Sequence, residues 1–146
     1  MKTIEEEINE NGKLVFTNVG TSMKPLIKQD RDILIIEKTN GKLKKYDIPL
    51  YKRKDGQYVL HRILNVSNDE YVICGDNCYI KEYGITDSNI IGVLTAIVRK
   101  GKQVKTTDFK YKLYTHIWCD LFFIRAFMLR MFKFLKRMIN KWNIMP

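Results

Sequence analysis

The sequence predicts a mostly β protein: an antiparallel sheet or barrel-like core with a short N-terminal helix and a C-terminal amphipathic helix. Three observations carry this. Short runs rich in β-branched residues recur between turn signals from about residue 13 to 108. Asn40-Gly41 and Asp55-Gly56 supply the positive φ that tight turns need. From Tyr111 to Trp142 neither Gly nor Pro occurs, and the apolar period becomes helical.

Three segments follow: a short acidic helical segment over 1–12, a β domain over 13–108, and a basic amphipathic helix over 109–146. Thr3 and Glu6 have capping-box spacing, which predicts a helix over 4–10 that stops at Gly12. Leu14-Val-Phe16 and Asp32-Ile-Leu-Ile-Ile-Glu37 read as strands. In 47–53, Pro49 marks a strand start or an edge, because it cannot donate to a ladder. Tyr58–Val66 and Glu70–Cys74 read as a hairpin joined through Ser67-Asn68-Asp69. Ile90–Arg99 is a further strand, ended by Gly101.

At 146 residues the chain fits one domain that can bury a core without metal or disulfide staples. The net charge of +10 is unevenly spread: residues 109–146 hold eight Lys/Arg against the single acid Asp120, which is +7 of the total. Cys74, Cys78 and Cys119 lack the paired spacing of a zinc site and read as reduced thiols. Residues 1–13 are acidic where a secretory signal would be basic and then apolar. No run of about 18 apolar residues is present to cross a bilayer as a helix.

At about 100° per residue, Arg125, Arg130, Lys133, Lys136, Arg137 and Lys141 share roughly half of the C-terminal helix. The other half holds Ile124, Phe127, Met128, Met131, Phe132, Phe134, Leu135, Met138, Ile139 and Trp142, with Phe122 and Leu129 breaking the pattern. Such a helix either packs its apolar face on the β domain or lies in a membrane interface with its cations toward anionic lipid. The second reading makes an anionic membrane surface a partner through Leu113–Trp142 and the protein membrane-associated. The first leaves it cytoplasmic. No recognition motif accompanies the cations, so nucleic acid is not an expected partner.

Chemistry enters with Val19-Gly-Thr-Ser-Met-Lys-Pro25, whose hydroxyl at Ser22 is a weak nucleophile that needs a neighbouring base. Imidazole can take that proton and return it to a leaving amine. Of the two histidines, His116 lies in the C-terminal segment, which leaves His61. Strand alternation places His61 on one face with Val59 and Ile63. A carboxylate should orient the imidazole, and Asp76 and Glu82 are both candidates. Backbone N–H groups from Gly20 to Met23 could form an oxyanion hole, with Met23 lining a cleft or simply packing. Lys24, two residues from Ser22, reads as solvated.

Gly20-Thr-Ser-Met-Lys-Pro25 is followed by KKYDIPLYKR (44–53), YVLHRI (58–63), CGDN (74–77) and NIIGVLTAIVRKG (89–101). In this order and spacing, these segments resemble the boxes of signal peptidase I-like serine peptidases, in the superfamily that also holds the LexA-type autoproteases. The resemblance spans about residues 14–101. Bacterial signal peptidases and the LexA type use a lysine base. The endoplasmic-reticulum and sporulation-type enzymes use a histidine in an H-R-[IV] box. His61-Arg62-Ile63 stands there, so the chain resembles the Ser–His branch.

The resemblance implies a signal-peptidase catalytic core, no cofactor and no metal. It also implies a peptide or precursor-protein substrate with small residues before the cleaved bond. Ser22 would be the nucleophile, with its own amide as an oxyanion donor, and His61 the base. Asp76 matches the aspartate of the G-D-N box. Glu82 falls where that branch has a second aspartate as triad acid, here one methylene longer, so Asp76 is the expected acid and Glu82 the alternative.

The expected function is thus a serine endopeptidase that cleaves exported, membrane-near or precursor and leader peptides. The alternative is a catalytically silent peptide- or lipid-binding module with the same fold. A self-cleaving, DNA-binding regulator is disfavoured, because no helix-turn-helix precedes the β domain and no Ala-Gly or Cys-Gly site precedes Ser22.

Overall fold

The capping box forms as expected: the Glu6 amide donates to Thr3 Oγ1 (3.2 Å) and the Thr3 amide to Glu6 Oε2 (2.8 Å). These bonds open helix α1 (Ile4–Asn11), which ends at Gly12 with φ 71°. In the computed structural model residues 2–142 are described. Met1 and residues 143–146, the ends of the 1–12 and 109–146 segments, lie outside the described residues, as does the Trp142 side chain.

The protein is mostly β and antiparallel throughout. Strands β1 (Lys13–Thr17), β2 (Asp32–Glu37), β3 (Pro49–Lys52), β4 (Tyr58–Leu60), β8 (Ile90–Arg99) and β9 (Lys102–Lys105) form a six-stranded sheet. Strands β5 (Arg62–Ser67), β6 (Glu70–Cys74) and β7 (Glu82–Thr86) form a second sheet. Ten-residue β8 is the hub. It pairs β2 along one edge, while β3 (Leu50 opposite Gly92) and β9 (Ile97 opposite Val104) divide the other.

Alternation along β2 buries Asp32, Leu34 and Ile36. Leu34 and Ile36 join Met23, Ile27, Ile48, Leu50, Leu60, Leu94, Ile97 and Ile8 of α1 in one apolar cluster. Tyr51, Ile63, Tyr71, Ile73 and Ile85 form a second cluster.

Four expectations change. The run 58–66 is not one strand: it breaks at His61, where the chain leaves β4 of the large sheet and enters β5 of the small one. β4 pairs β3 in the large sheet and β5 pairs β6 in the small one, so the chain changes sheets at the break. His61 therefore sits at a junction rather than on a strand face with Val59 and Ile63. Next, Glu82 opens β7, which is not among the strands read from the sequence. Gly101 ends the preceding strand as expected, but Lys100 (φ 49°) and Gly101 (φ 74°) form a two-residue hairpin into β9, a strand not read from the sequence.

The last change concerns the C-terminal segment, which is two helices, α2 (Phe109–Asp120) and α3 (Phe122–Trp142). The bend at Leu121 has no Gly or Pro to mark it. Tertiary contacts hold it instead: Tyr111, Thr115 and Cys119 of α2 are buried on the domain, and Trp118 Nε1 donates to the Asp76 carbonyl (2.9 Å).

Candidate active site

The 20–27 segment is tethered at several points. Gly20 N–H donates to Gln29 Oε1 (3.0 Å), Asn77 N–H to the Ser22 carbonyl (2.7 Å), and Asn77 Nδ2 to the Thr21 carbonyl (3.1 Å). Met23 and Ile27 anchor it in the core. The segment 74–78 thus holds the serine loop by its backbone, while no hydrogen bond among the described residues joins Ser22 Oγ to His61.

Gly75 is the meeting point. A Cβ there would lie 2.7 Å from the Ser22 carbonyl oxygen, 3.0 Å from His61 Nε2 and 3.0 Å from Cys78 Sγ. No real Cβ tolerates the first contact with rigid backbone, so only glycine lets the serine loop and the imidazole close on each other. The φ of Gly75 is not positive. The requirement is space.

His61 is 7% exposed. Both of its hydrogen bonds are at Nδ1, to Glu82 Oε1 (3.0 Å) and to the Tyr51 hydroxyl (3.4 Å). Nε2 is left facing Gly75 and the Ser22 loop, without a hydrogen-bond partner among the described residues. Ser22 and His61 line one hollow of about 460 Å³ with Phe16, Val19, Leu50, Val59 and Leu60. Burial pulls the imidazole pKa below its ordinary value of 6.5, against the opposing pull of the Glu82 charge. His61 is therefore neutral at pH 7, the state a general base requires.

Glu82 is the carboxylate at His61, and its own position is fixed by Arg53, whose Nε donates to Glu82 Oε2 (2.9 Å) while Nη2 reaches Oε1. Burial would raise the Glu82 carboxyl, but the hydrogen bonds from Arg53 and Tyr51 and the charge of Arg53 hold it below the usual carboxylate range. The imidazole, the acid and a guanidinium thus form a chain Ser22-side–His61–Glu82–Arg53. The sequence offered nothing that linked Arg53 or Tyr51 to this chain.

Asp76, the other candidate acid, is corrected to a structural role. Both of its oxygens are spent on Arg62, Nε to Oδ1 (2.8 Å) and Nη2 to Oδ2 (2.8 Å), with the Tyr114 hydroxyl adding a third bond to Oδ2 (3.0 Å). Asp76 and Arg62 are each 0% exposed. Arg62 Nη1 also donates to the Tyr46 carbonyl, Tyr111 Oη and Thr115 Oγ1, so the pair clamps α2 onto the sheets.

Two further site residues move. The Gly20 amide is occupied by Gln29 and cannot serve an oxyanion. Met23 is fully buried in the large cluster and lines no cleft. The Ser22 amide donates to no protein group among the described residues. Lys24 is exposed. His116 is far from this arrangement, stacked edge-on against Tyr46 at 4.6 Å with Nδ1 3.3 Å from Asp120.

Past the imidazole, a second hollow of about 400 Å³ shares Arg53, His61 and Cys78 with the first and adds Tyr79, Ile80, Glu82 and Lys133 of α3. The start of α3 meets the domain through its basic side. Arg125, expected among solvated cations, is 2% exposed, stacked 4.8 Å from the Phe122 ring centroid and 5.7 Å from Trp118. Its Nε has no partner among the described residues. The apolar side faces outward: Phe123 (83%), Phe127 (66%), Phe132 (62%) and Ile139 (60%) are exposed. The expectation that this face packs on the β domain does not hold. No described helix is long and apolar enough to cross a membrane.

Comparisons with protein families, with curated proteins and with solved structures find no match to this chain.

Proposed function

We propose that the chain is a serine endopeptidase of the Ser–His type, signal peptidase-like, working at an anionic membrane surface. The observation that carries the chemistry is the convergence on Gly75 of the Ser22 loop and His61 Nε2, with Glu82 holding Nδ1 at 3.0 Å. A silent module has no need of a buried neutral histidine backed by an acid that is itself clamped by an arginine.

In this reading Ser22 Oγ attacks the carbonyl carbon of the scissile peptide bond as its proton passes to His61 Nε2. The imidazolium so formed is stabilised by Glu82, and the Ser22 amide donates to the tetrahedral oxyanion. Collapse breaks the C–N bond, and the amine leaves with the proton from Nε2. Water then attacks the acyl ester, giving its proton to Nε2; the C–Oγ bond breaks as Nε2 returns that proton to Ser22 Oγ, and the carboxylic acid departs. Substrate small residues before the bond are carried over from the family resemblance, and leader or precursor peptides fit it as well as signal peptides.

Membrane docking rests on α3. Its outward apolar side, with no acid on the helix and Lys136, Arg137 and Lys141 toward its end, suits the headgroup boundary of an anionic bilayer. At 21 residues it is about 31 Å long, enough to lie along the surface. Purified protein should cleave precursor peptides with small residues in the presence of anionic vesicles, and Ser22→Ala and His61→Ala should not. Cleavage retained in Ser22→Ala rules the mechanism out. Phe127→Asp with Phe132→Asp should abolish flotation with those vesicles, and unchanged flotation rules the docking out.

A further inference from the structure

The hollow past His61 is lined by two cations, Arg53 and Lys133, against one carboxylate, Glu82, which Arg53 already pairs. Arg130 Cζ lies 5.2 Å and Lys133 Nζ 4.8 Å from the centroid of one ring, Tyr79. Two like charges drawn to a single ring repel each other, and an anion between them would offset that repulsion. No described carboxylate does. α3 contains none, and Glu82, the acid of this hollow, is already engaged by Arg53 and His61. Lys81 beside it rests 4.6 Å from the Phe122 ring and makes no ion pair among the described residues.

The direction these cations face identifies the anion. Lys133 stands nine residues after Ile124, roughly 180° round the helix from the apolar side. A cation on that side turns away from lipid, and Lys133 and Arg130, both exposed, reach the domain at Tyr79. Lys133 accordingly lines the same hollow as His61 and Glu82. Cations reaching headgroups should instead flank the apolar side, as Lys141 does, nearly level with exposed Phe123 around the helix.

We propose that this hollow is a substrate subsite for an acidic residue of the cleaved peptide, with Lys133 and Arg130 binding its carboxylate. The inference rests on the peptidase reading for where the peptide lies. It makes α3 a specificity element as well as a docking helix: the peptide's apolar residues would occupy the hollow lined by Leu50, Val59 and Leu60, and its acid the hollow across the imidazole.

The test uses the full chain without vesicles and a set of short alanine-rich peptides. In each, one position before or after the scissile bond carries Glu, Gln or Lys. Cleavage is followed in wild type, and binding is measured by fluorescence anisotropy in Ser22→Ala. At one position wild type should prefer Glu over Gln by about three- to tenfold in kcat/KM, the size of a partly exposed ion pair. Lys133→Glu should reverse that order in favour of Lys, and Arg130→Glu should weaken it. Equal handling of Glu and Gln at every position overturns the proposal, as does a Glu preference that survives Lys133→Glu. Loss of anionic-vesicle binding in Lys133→Glu with peptide preference intact assigns the cations to lipid and overturns it too. The two readings fail separately. Acid-selective binding without cleavage keeps the subsite and removes the peptidase, whereas cleavage without acid selectivity does the reverse.

Discussion

Replacing Glu82 by Gln separates the two candidate acids. The amide keeps an oxygen that can accept from His61 Nδ1, so the tautomer with the lone pair on Nε2 survives. What is lost is the charge that stabilises the imidazolium. At the 3.0 Å separation of Nδ1 and Oε1, an effective dielectric near 20 gives an attraction of about 5 kcal/mol. Arg53 shares the same carboxylate and offsets part of it, leaving ~3 to 4 kcal/mol in the transition state, or about 10² to 10³ in kcat. The assay is kcat and kcat/KM for one peptide across pH 5 to 8, with circular dichroism confirming the fold. The plateau should drop by that factor. The acid limb should move to lower pH, because the charge opposing the burial shift of His61 is gone. A folded Glu82→Gln protein within about threefold of wild type across that range would refute this reasoning.

Asp76→Asn should do the opposite, costing stability first. It strips the counter-charge from Arg62 inside the clamp, a loss of about 3 to 5 kcal/mol. Calorimetry should then show Tm lower by about 10 °C or more, and a shift of only a degree or two would contradict the clamp. Gly75→Ala must push back either the Ser22 carbonyl or the imidazole. We expect kcat/KM to fall by about 10 to 100-fold with the fold retained, and full activity would remove Gly75 as the point of closure. Because His61 is held below its unfolded pKa of 6.5, the unfolded chain binds a proton that the native state does not. Stability therefore falls as pH drops through 6.5 toward the folded value. Urea midpoints at pH 7 and pH 5 should differ less in His61→Gln than in wild type, and an equal difference would contradict the burial of a neutral imidazole.

What could be read from the sequence was local. The capping box at Thr3 and Glu6, the β-branched run Asp32–Glu37 and the turn at Asn68-Asp69 each carry their own signal, and each forms. Non-local choices were not legible. Nothing near His61 announces that the chain changes sheets there, because both flanking stretches favour strand. The bend at Leu121 is made by Trp118 and Arg125 meeting the domain, not by a helix breaker. On sequence Asp76, in its G-D-N box, comes first as the acid and Glu82 only as the alternative. Only the strand pairing of β6 with β7 brings Glu82, opposite Ile73, to the imidazole, while Arg62 claims Asp76. Arg53 and Gly75 stand within quoted segments, 44–53 and 74–77, but the contacts that give them their parts are made through space.

The central claim, that Ser22 is the nucleophile served by His61, has one close rival. Cys78 Sγ faces the same point as His61 Nε2. Burial pushes the Cys78 thiol up, which disfavours the thiolate it would need. Acid-quenching the enzyme during turnover of an activated peptide ester, then mapping the acyl group by mass spectrometry, decides between them. The acyl group should sit on Ser22, be absent from Ser22→Ala and form far more slowly in His61→Ala. An acyl group on Cys78, or undiminished turnover by Ser22→Ala, would contradict the account.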